Sequence, residues 1–169
     1  MANVLIGIVG IVLFIGLALA GASFFGPVLM DSTTEARASG VFQVLSTVSK
    51  AVVVRDRELG TLTSPSADSS VLVPTYLEDL PVNPVSGSPI SLLTSGGAVS
   101  GGMIRIVATR LPATEAKMCG YLNKQGGNLT FYDVPNLGAF PAQSAGCFRA
   151  SGQIGVISGG EYVAYMSVN

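Results

Sequence analysis

The sequence predicts an α+β fold in which one long N-terminal helix carries a small globular head. The segment from Met1 to Met30 contains no charged side chain. As a helix it would measure about 45 Å, which exceeds the roughly 30 Å hydrocarbon core of a bilayer. Most of the 21 glycines and 9 prolines come after residue 58, as expected of short strands joined by turns.

Composition and charge divide the chain into three predicted regions. These are an apolar helix long enough to span a membrane (1–30), an amphipathic helix that continues into the head (31–59), and a globular α+β head (60–169). Charged residues make up 11% of the 169 residues, with a formal net charge of −1. The chain has no run of basic residues that would predict nucleic-acid binding. Its hydrophobic content of 49% argues against disorder.

The apolar segment has three interpretations. Ala18-Leu19-Ala20 before Gly21 fits the cleavage pattern of a secretory signal, although no positively charged region precedes it. A permanent membrane anchor explains the apolarity without any partner. The third interpretation is a helix that packs against other helices, because its glycines would permit close approach of backbones.

A weak point is predicted towards the end of this segment. Gly21 and Gly26 lower helix propensity, and Pro27 removes a backbone donor while its ring clashes with the preceding turn. We therefore expect the helix to kink or unwind locally between Gly16 and Pro27. The residues from Ser32 to Glu35 fit a capping box, from which the helix restarts or continues.

The second half of the helix shows one apolar stripe with the i, i+3, i+4, i+7 spacing of a buried helix face. This stripe is predicted to pack on the head and consists of Val41, Val44, Leu45, Val48 and Val52. The helix is expected to end near Gly60, since glycine commonly follows the last helical residue.

The head is predicted to contain an antiparallel sheet laid on the amphipathic helix. Thr61–Ser70 is expected to be a polar loop. A short helix is predicted over Ala113–Lys124, with Pro112 at its first turn and glycines 126 and 127 ending it. The predicted strands are Met103–Thr109, Leu129–Val134, Gln153–Ile157 and Tyr162–Val168.

Cys119 and Cys147 are the only two cysteines. In an exported domain two thiols usually pair, and the closed loop would stabilise the head by about 3 kcal/mol in the chain-entropy model. The alternative is a pair of free buried thiols in a cytosolic protein.

Three local features, together with this architecture, resemble a type IV pilin, most closely the type IVb branch. Met1 suits the first residue of a mature subunit, and the segment Tyr76–Pro84 is similar to the loop after the long helix of many pilins. Ala108–Pro112, leading into the helix with Cys119, is similar to the segment before the first disulfide cysteine of type IVb pilins. One departure is Leu5, where the family usually carries a glutamate. A minor pilin, a pseudopilin or a filament with a different registry therefore stays open.

The resemblance implies a structural subunit of an extracellular type IV pilus that supports adhesion, aggregation, motility or DNA transfer. Its implied partners are identical subunits in a homopolymer, the inner membrane before assembly, and the pilus assembly machinery. Met1 would be the site of N-terminal processing and methylation. The side chains expected in the filament core are Leu5, Ile8, Ile11, Val12, Ile15 and Leu19.

Two other functional classes stay open, namely a monomeric membrane-anchored binding module at the periplasm or cell surface and a secretion-system pseudopilin. An enzyme is not predicted. The sequence contains no histidine, the commonest general base. It also lacks a phosphate-binding loop, a metal-ligand cluster and a nucleophile placed beside a base. We therefore expect neither a catalytic site nor a cofactor or metal.

Overall fold

The computed structural model describes residues 2–60, 66–94, 105–127, 132–136 and 143–168. The side chains of residues 2–5, 24–27 and 66–68 lie outside this description, as does Met1. Contacts within the chain define two compact units, unit 1 (Met1–Glu35) and unit 2 (Ala36–Asn169). The boundary falls within the predicted amphipathic helix, because its residues from Ala38 onward contribute to the core of unit 2.

The first helix, α1, extends over Ala2–Leu59. It ends as predicted: Gly60 has a φ of +84°, and its amide donates to the carbonyl of Asp56 over 3.1 Å. Glycine adopts this left-handed conformation without the steric penalty of a side chain.

The expected unwinding at the weak point does not occur. Gly21, Gly26 and Pro27 are all helical, because a proline removes only one backbone bond while its fixed φ remains compatible with the helix. A kink without unwinding stays a prediction. The capping box is also absent, since the Ser32 hydroxyl donates to the Leu29 carbonyl inside the helix instead of capping a new one.

The head contains a mixed six-stranded sheet with the order β1-β2-β3-β6-β5-β4. Its strands are β1 (Ser66–Asp68), β2 (Ser91–Thr94), β3 (Arg105–Leu111), β4 (Tyr132–Val134), β5 (Ala145–Ala150) and β6 (Tyr162–Ser167). A short 3₁₀ helix, Ser69–Leu72, follows β1. The longest pairing joins β3 to β6, from Ile106 opposite Ser167 to Leu111 opposite Tyr162.

The prediction of an antiparallel sheet is wrong for one pair of strands. β4 and β5 are parallel, with Tyr132 opposite Phe148. A tight hairpin turn cannot join a parallel pair, because the chain must return to the starting end of the first strand before the second strand begins. All other pairs of neighbouring strands are antiparallel.

The predicted strands are only partly present. β3 and β6 lie within or beside the predicted ranges, and β4 forms the described end of the predicted strand Leu129–Val134. Leu129–Phe131 and Met103–Ile104 lie outside the described residues. The prediction of a strand over Gln153–Ile157 is wrong. The backbone amides of Ile154 and Ile157 each donate to the other residue's carbonyl across a tight turn. Gly155 has a φ of +58° in this turn and reverses the chain, so no strand can form there.

The second helix, α2, covers Ala116–Gln125, three residues later than predicted at its start. Pro112 instead begins a turn in which the Glu115 amide donates to the Pro112 carbonyl over 2.9 Å. The helix ends at the predicted glycines, with Gly127 at a φ of +77°.

Each face of the sheet carries a hydrophobic core, and the side chains of β3 contribute to both cores. Its side chains alternate as expected of a strand: Val107 and Leu111 join the core under α1 and α2. Ile106 and Ala108 join a second core on the opposite face. That second core includes Phe148 and Tyr165, whose ring centroids lie 5.7 Å apart, together with the two isoleucines of the tight turn.

Candidate functional site

The apolar part of α1 in unit 1 exposes its side chains on every side. The residues expected in a filament core are more than half exposed in this chain, from 51% for Ile15 to 65% for Leu19. Ile8, Ile11 and Val12 lie between these values, and the side chain of Leu5 lies outside the described residues. Single hydrophobic residues are common on protein surfaces, whereas a large contiguous apolar surface such as this one is typical of a contact surface.

The described hydroxyl groups of this unit donate hydrogen bonds within the helix itself. The hydroxyl of Ser23 donates to the Leu19 carbonyl over 2.8 Å, and those of Thr33 and Thr34 donate to the Met30 carbonyl over 2.8 and 2.9 Å. Because an unpaired hydroxyl is costly to remove from water, these bonds lower the cost of burying the segment in an apolar environment.

The helix is also long and apolar enough to cross a membrane, by length and composition alone. Its uncharged part from Ile6 to Met30 would measure about 37 Å. The first charged residue is Asp31. The same surface therefore suits a bilayer or a bundle of similar helices.

Within unit 2, the predicted helix stripe lies in the core. Val41, Leu45, Val48 and Val52 are at most 3% exposed, while Val44 is half-buried at the edge of the same cluster. They contact a core that includes Val107 and Leu111 of β3 and Leu122 of α2, so the second half of α1 is part of the head.

The predicted disulfide is present, and Cys119 of α2 is bonded to Cys147 of β5 with 5.1 Å between their Cα atoms. Both cysteines are buried. Two further contacts join the same elements. The Asn123 side-chain oxygen accepts the Cys147 amide over 2.6 Å, and Gly126 lies against the carbonyl of Ala145.

Neither of these further contacts was predicted from the sequence. Asn123 is only 5% exposed, although asparagine on a short helix normally faces solvent. Gly126 was predicted only as a helix end. A Cβ at that position would lie 2.2 Å from the Ala145 carbonyl oxygen, so close approach of α2 to β5 requires glycine there.

Several charged side chains interact around the last turn of α1, and this cluster was not predicted from the sequence either. Arg105 of β3 forms an ion pair with Asp56, and Arg55 lies 3.6 Å from the other Asp56 oxygen. The Tyr76 hydroxyl donates to Glu58 over 2.7 Å. This hydrogen bond to a carboxylate raises the pKa of Tyr76 above its usual value, since ionised Tyr76 would lose the bond and face a like charge.

The described residues contain no group of three or more His, Cys, Asp or Glu side chains arranged to hold a metal ion. No protein-family model, curated protein or solved structure matches this chain. The geometry of the chain itself therefore carries the functional argument.

Proposed function

We propose that this chain is a structural subunit of an extracellular helical filament of the type IV pilus class. The observation that carries the proposal is the exposed surface of α1 in unit 1, where the large apolar side chains from Ile6 to Leu19 are 50% to 73% exposed. Keeping one such side chain in water costs about 1.5–3 kcal/mol relative to burial. The segment therefore needs an apolar partner.

Copies of the same helix are a suitable partner. Among the described residues, nothing lies within 4 Å of a Cβ built at Gly7, Gly10, Gly16 or Gly21, so no described contact requires glycine at these positions. Small residues permit close approach between apolar helices. Lipid is about as apolar as these side chains, so close packing between helices favours their association. A bundle of equivalent helices would bury the apolar side chains and would pack closely at the glycines.

The head supplies the second requirement of a filament subunit, which is a stable folded body outside the bundle. Unit 2 has its own two cores and a disulfide, so it does not depend on the apolar segment for a hydrophobic interior. Before assembly, the apolar helix would hold the subunit in the inner membrane, from which the assembly machinery extracts it. Growth would then repeat one heterologous contact between identical subunits.

Fractionation of cells that express the chain tests this proposal. We expect the protein in sheared surface material, where negative-stain microscopy shows filaments and mass spectrometry identifies this chain with its N-terminal processing state. Filaments that lack the chain, with all of it retained as a monomer in the membrane fraction, would contradict the proposal. That outcome would favour a membrane-anchored binding module.

A further inference from the structure

A pocket of about 280 Å³ lies on the head, away from the disulfide. The end of β3 contributes Arg110, and the turn before β6 contributes Glu161. Ser86 and Ser88 line another side, and Pro112 with Ala113 supplies an apolar wall. All of these residues belong to unit 2.

The walls of the pocket are held by hydrogen bonds from a buried side chain and from the backbone. Asn83, which is 1% exposed, donates to the Arg110 carbonyl over 2.8 Å. The Ser86 hydroxyl donates to the same carbonyl over 2.9 Å. On the other side, the Ser158 amide donates to Oε2 of Glu161 over 2.8 Å. The bond from Ser158 fixes the carboxylate of Glu161, and the two bonds to the Arg110 carbonyl fix the main chain of this wall. These groups therefore lose little conformational entropy when a ligand binds.

The two charged groups of the pocket are close without being fully paired. Nη1 of Arg110 lies 3.6 Å from Oε1 of Glu161, which is longer than a hydrogen bond. Both side chains are about one-third exposed, at 38% and 32%. A ligand that bonds to both groups can therefore bind without breaking a short ion pair.

The opposite charges also restrict the ligand. Glu161 disfavours an anion beside Arg110, and Arg110 disfavours a cation beside Glu161. A hydroxyl both donates and accepts hydrogen bonds. Two neighbouring hydroxyls on one ring can thus donate to the carboxylate and accept from the guanidinium, while the carbon face of the ring contacts Pro112 and Ala113.

We propose that this pocket binds one neutral monosaccharide unit. Its volume is near the lower end of the range for small-molecule sites and suits a single ring. Because the pocket opens to solvent, the rest of a glycan can extend away from the head. This inference concerns the head alone and does not rest on filament assembly.

The test uses the full chain in a zwitterionic detergent without a sugar headgroup. Methyl glycosides of glucose, galactose, mannose and N-acetylglucosamine are titrated separately, with saturation-transfer NMR and calorimetry as readouts. We expect millimolar binding of at least one glycoside. Glu161→Gln and Arg110→Gln should each weaken it by about fivefold or more, since each removes a charge-assisted hydrogen bond.

Arg149→Gln is the matched control, because Arg149 is exposed on β5 and does not line the pocket. It should bind the glycoside as the unchanged chain does. Glu161→Gln preserves the shape of the side chain, and circular dichroism verifies that each variant is folded. The proposal is overturned if no glycoside binds, if Glu161→Gln binds normally, or if glucuronate or inorganic phosphate binds more tightly than every neutral sugar.

Discussion

Asn123 illustrates how a single side chain completes the backbone bonding of the sheet. β4 pairs with β5 only from Phe148 onward, and the amide of the preceding Cys147 donates to the Asn123 side chain. A buried amide without a partner would cost about 1–3 kcal/mol. Asn123 therefore serves as a hydrogen-bond partner where the described strand pairing ends.

Gly126 gives the sharpest prediction at this scale. Gly126→Ala should lower the free energy of unfolding by about 1–3 kcal/mol, because the new Cβ meets the Ala145 carbonyl and forces α2 and β5 apart. Denaturant unfolding of the full chain in detergent measures the change, with loss of head structure as the signal.

Gly120→Ala is the control on the same helix. Nothing lies within 4 Å of a Cβ at Gly120, so alanine there should stabilise α2 by about 0.5–1 kcal/mol through its higher helix propensity. Equal effects of the two substitutions would show that close approach to β5 does not explain Gly126.

At the residue scale, the sequence predicts the apolar stripe of α1 better than the contacts of Asn123 and Gly126 with β5. The spacing of Val41, Leu45 and Val48 indicates one helix face, and all three are buried. Asn123 and Gly126 have no comparable periodicity. Their importance depends on which strand lies beside α2, and this information is absent from local sequence.

At the scale of elements, the sequence predicts both helices and only part of the sheet. β3 and β6 are rich in the aliphatic and aromatic residues that favour strands. β5 was missed because it begins with Ala145 and Gly146, which have little strand propensity, and pairing with β6 determines their conformation. β1 and β2 were missed because they are short, with three and four residues.

The disulfide leads to a prediction about α2 and β5 as a pair. Replacing both cysteines, as Cys119→Ala with Cys147→Ala, should lower the free energy of unfolding by about 3 kcal/mol, since the unfolded chain regains the entropy of an open loop. Because Asn123 and the buried Leu122 still join α2 to the core, we expect the circular dichroism spectrum of the folded double variant to remain nearly unchanged.

The measurement is denaturant unfolding of the double variant beside the unchanged chain, with and without reductant. Reductant should destabilise only the unchanged chain. If the double variant and the unchanged chain unfold at the same denaturant concentration without reductant, the bond contributes nothing to the head.

At the scale of the whole molecule, the two units satisfy their apolar side chains differently. Unit 2 buries most of its described large apolar side chains in its own two cores, whereas unit 1 leaves its large side chains exposed between Ile6 and Leu19. The sequence indicated this division through the absence of charge before Asp31. It could not determine whether lipid or other helices cover unit 1, because both environments are similarly apolar.

The central claim is that copies of this chain bundle through their apolar helices, and Ile11→Asp tests it most directly. Ile11 is 62% exposed in the single chain, so the substitution leaves the cores of unit 2 unchanged. In a bundle, an unpaired carboxylate costs several kcal/mol and recurs in every subunit. In a bilayer each subunit also carries a cost, of about 2.5–3.5 kcal/mol, but snorkelling and local water defects limit it there and the rest of the apolar segment can offset it.

The measurement is negative-stain microscopy of sheared material, together with quantification of the subunit in the membrane fraction. Ile11→Leu is the matched control and should form filaments in normal numbers. We expect Ile11→Asp to leave the subunit in the membrane at a level similar to the control and to abolish filaments. Normal filaments built from the Ile11→Asp subunit would contradict the bundled-helix account.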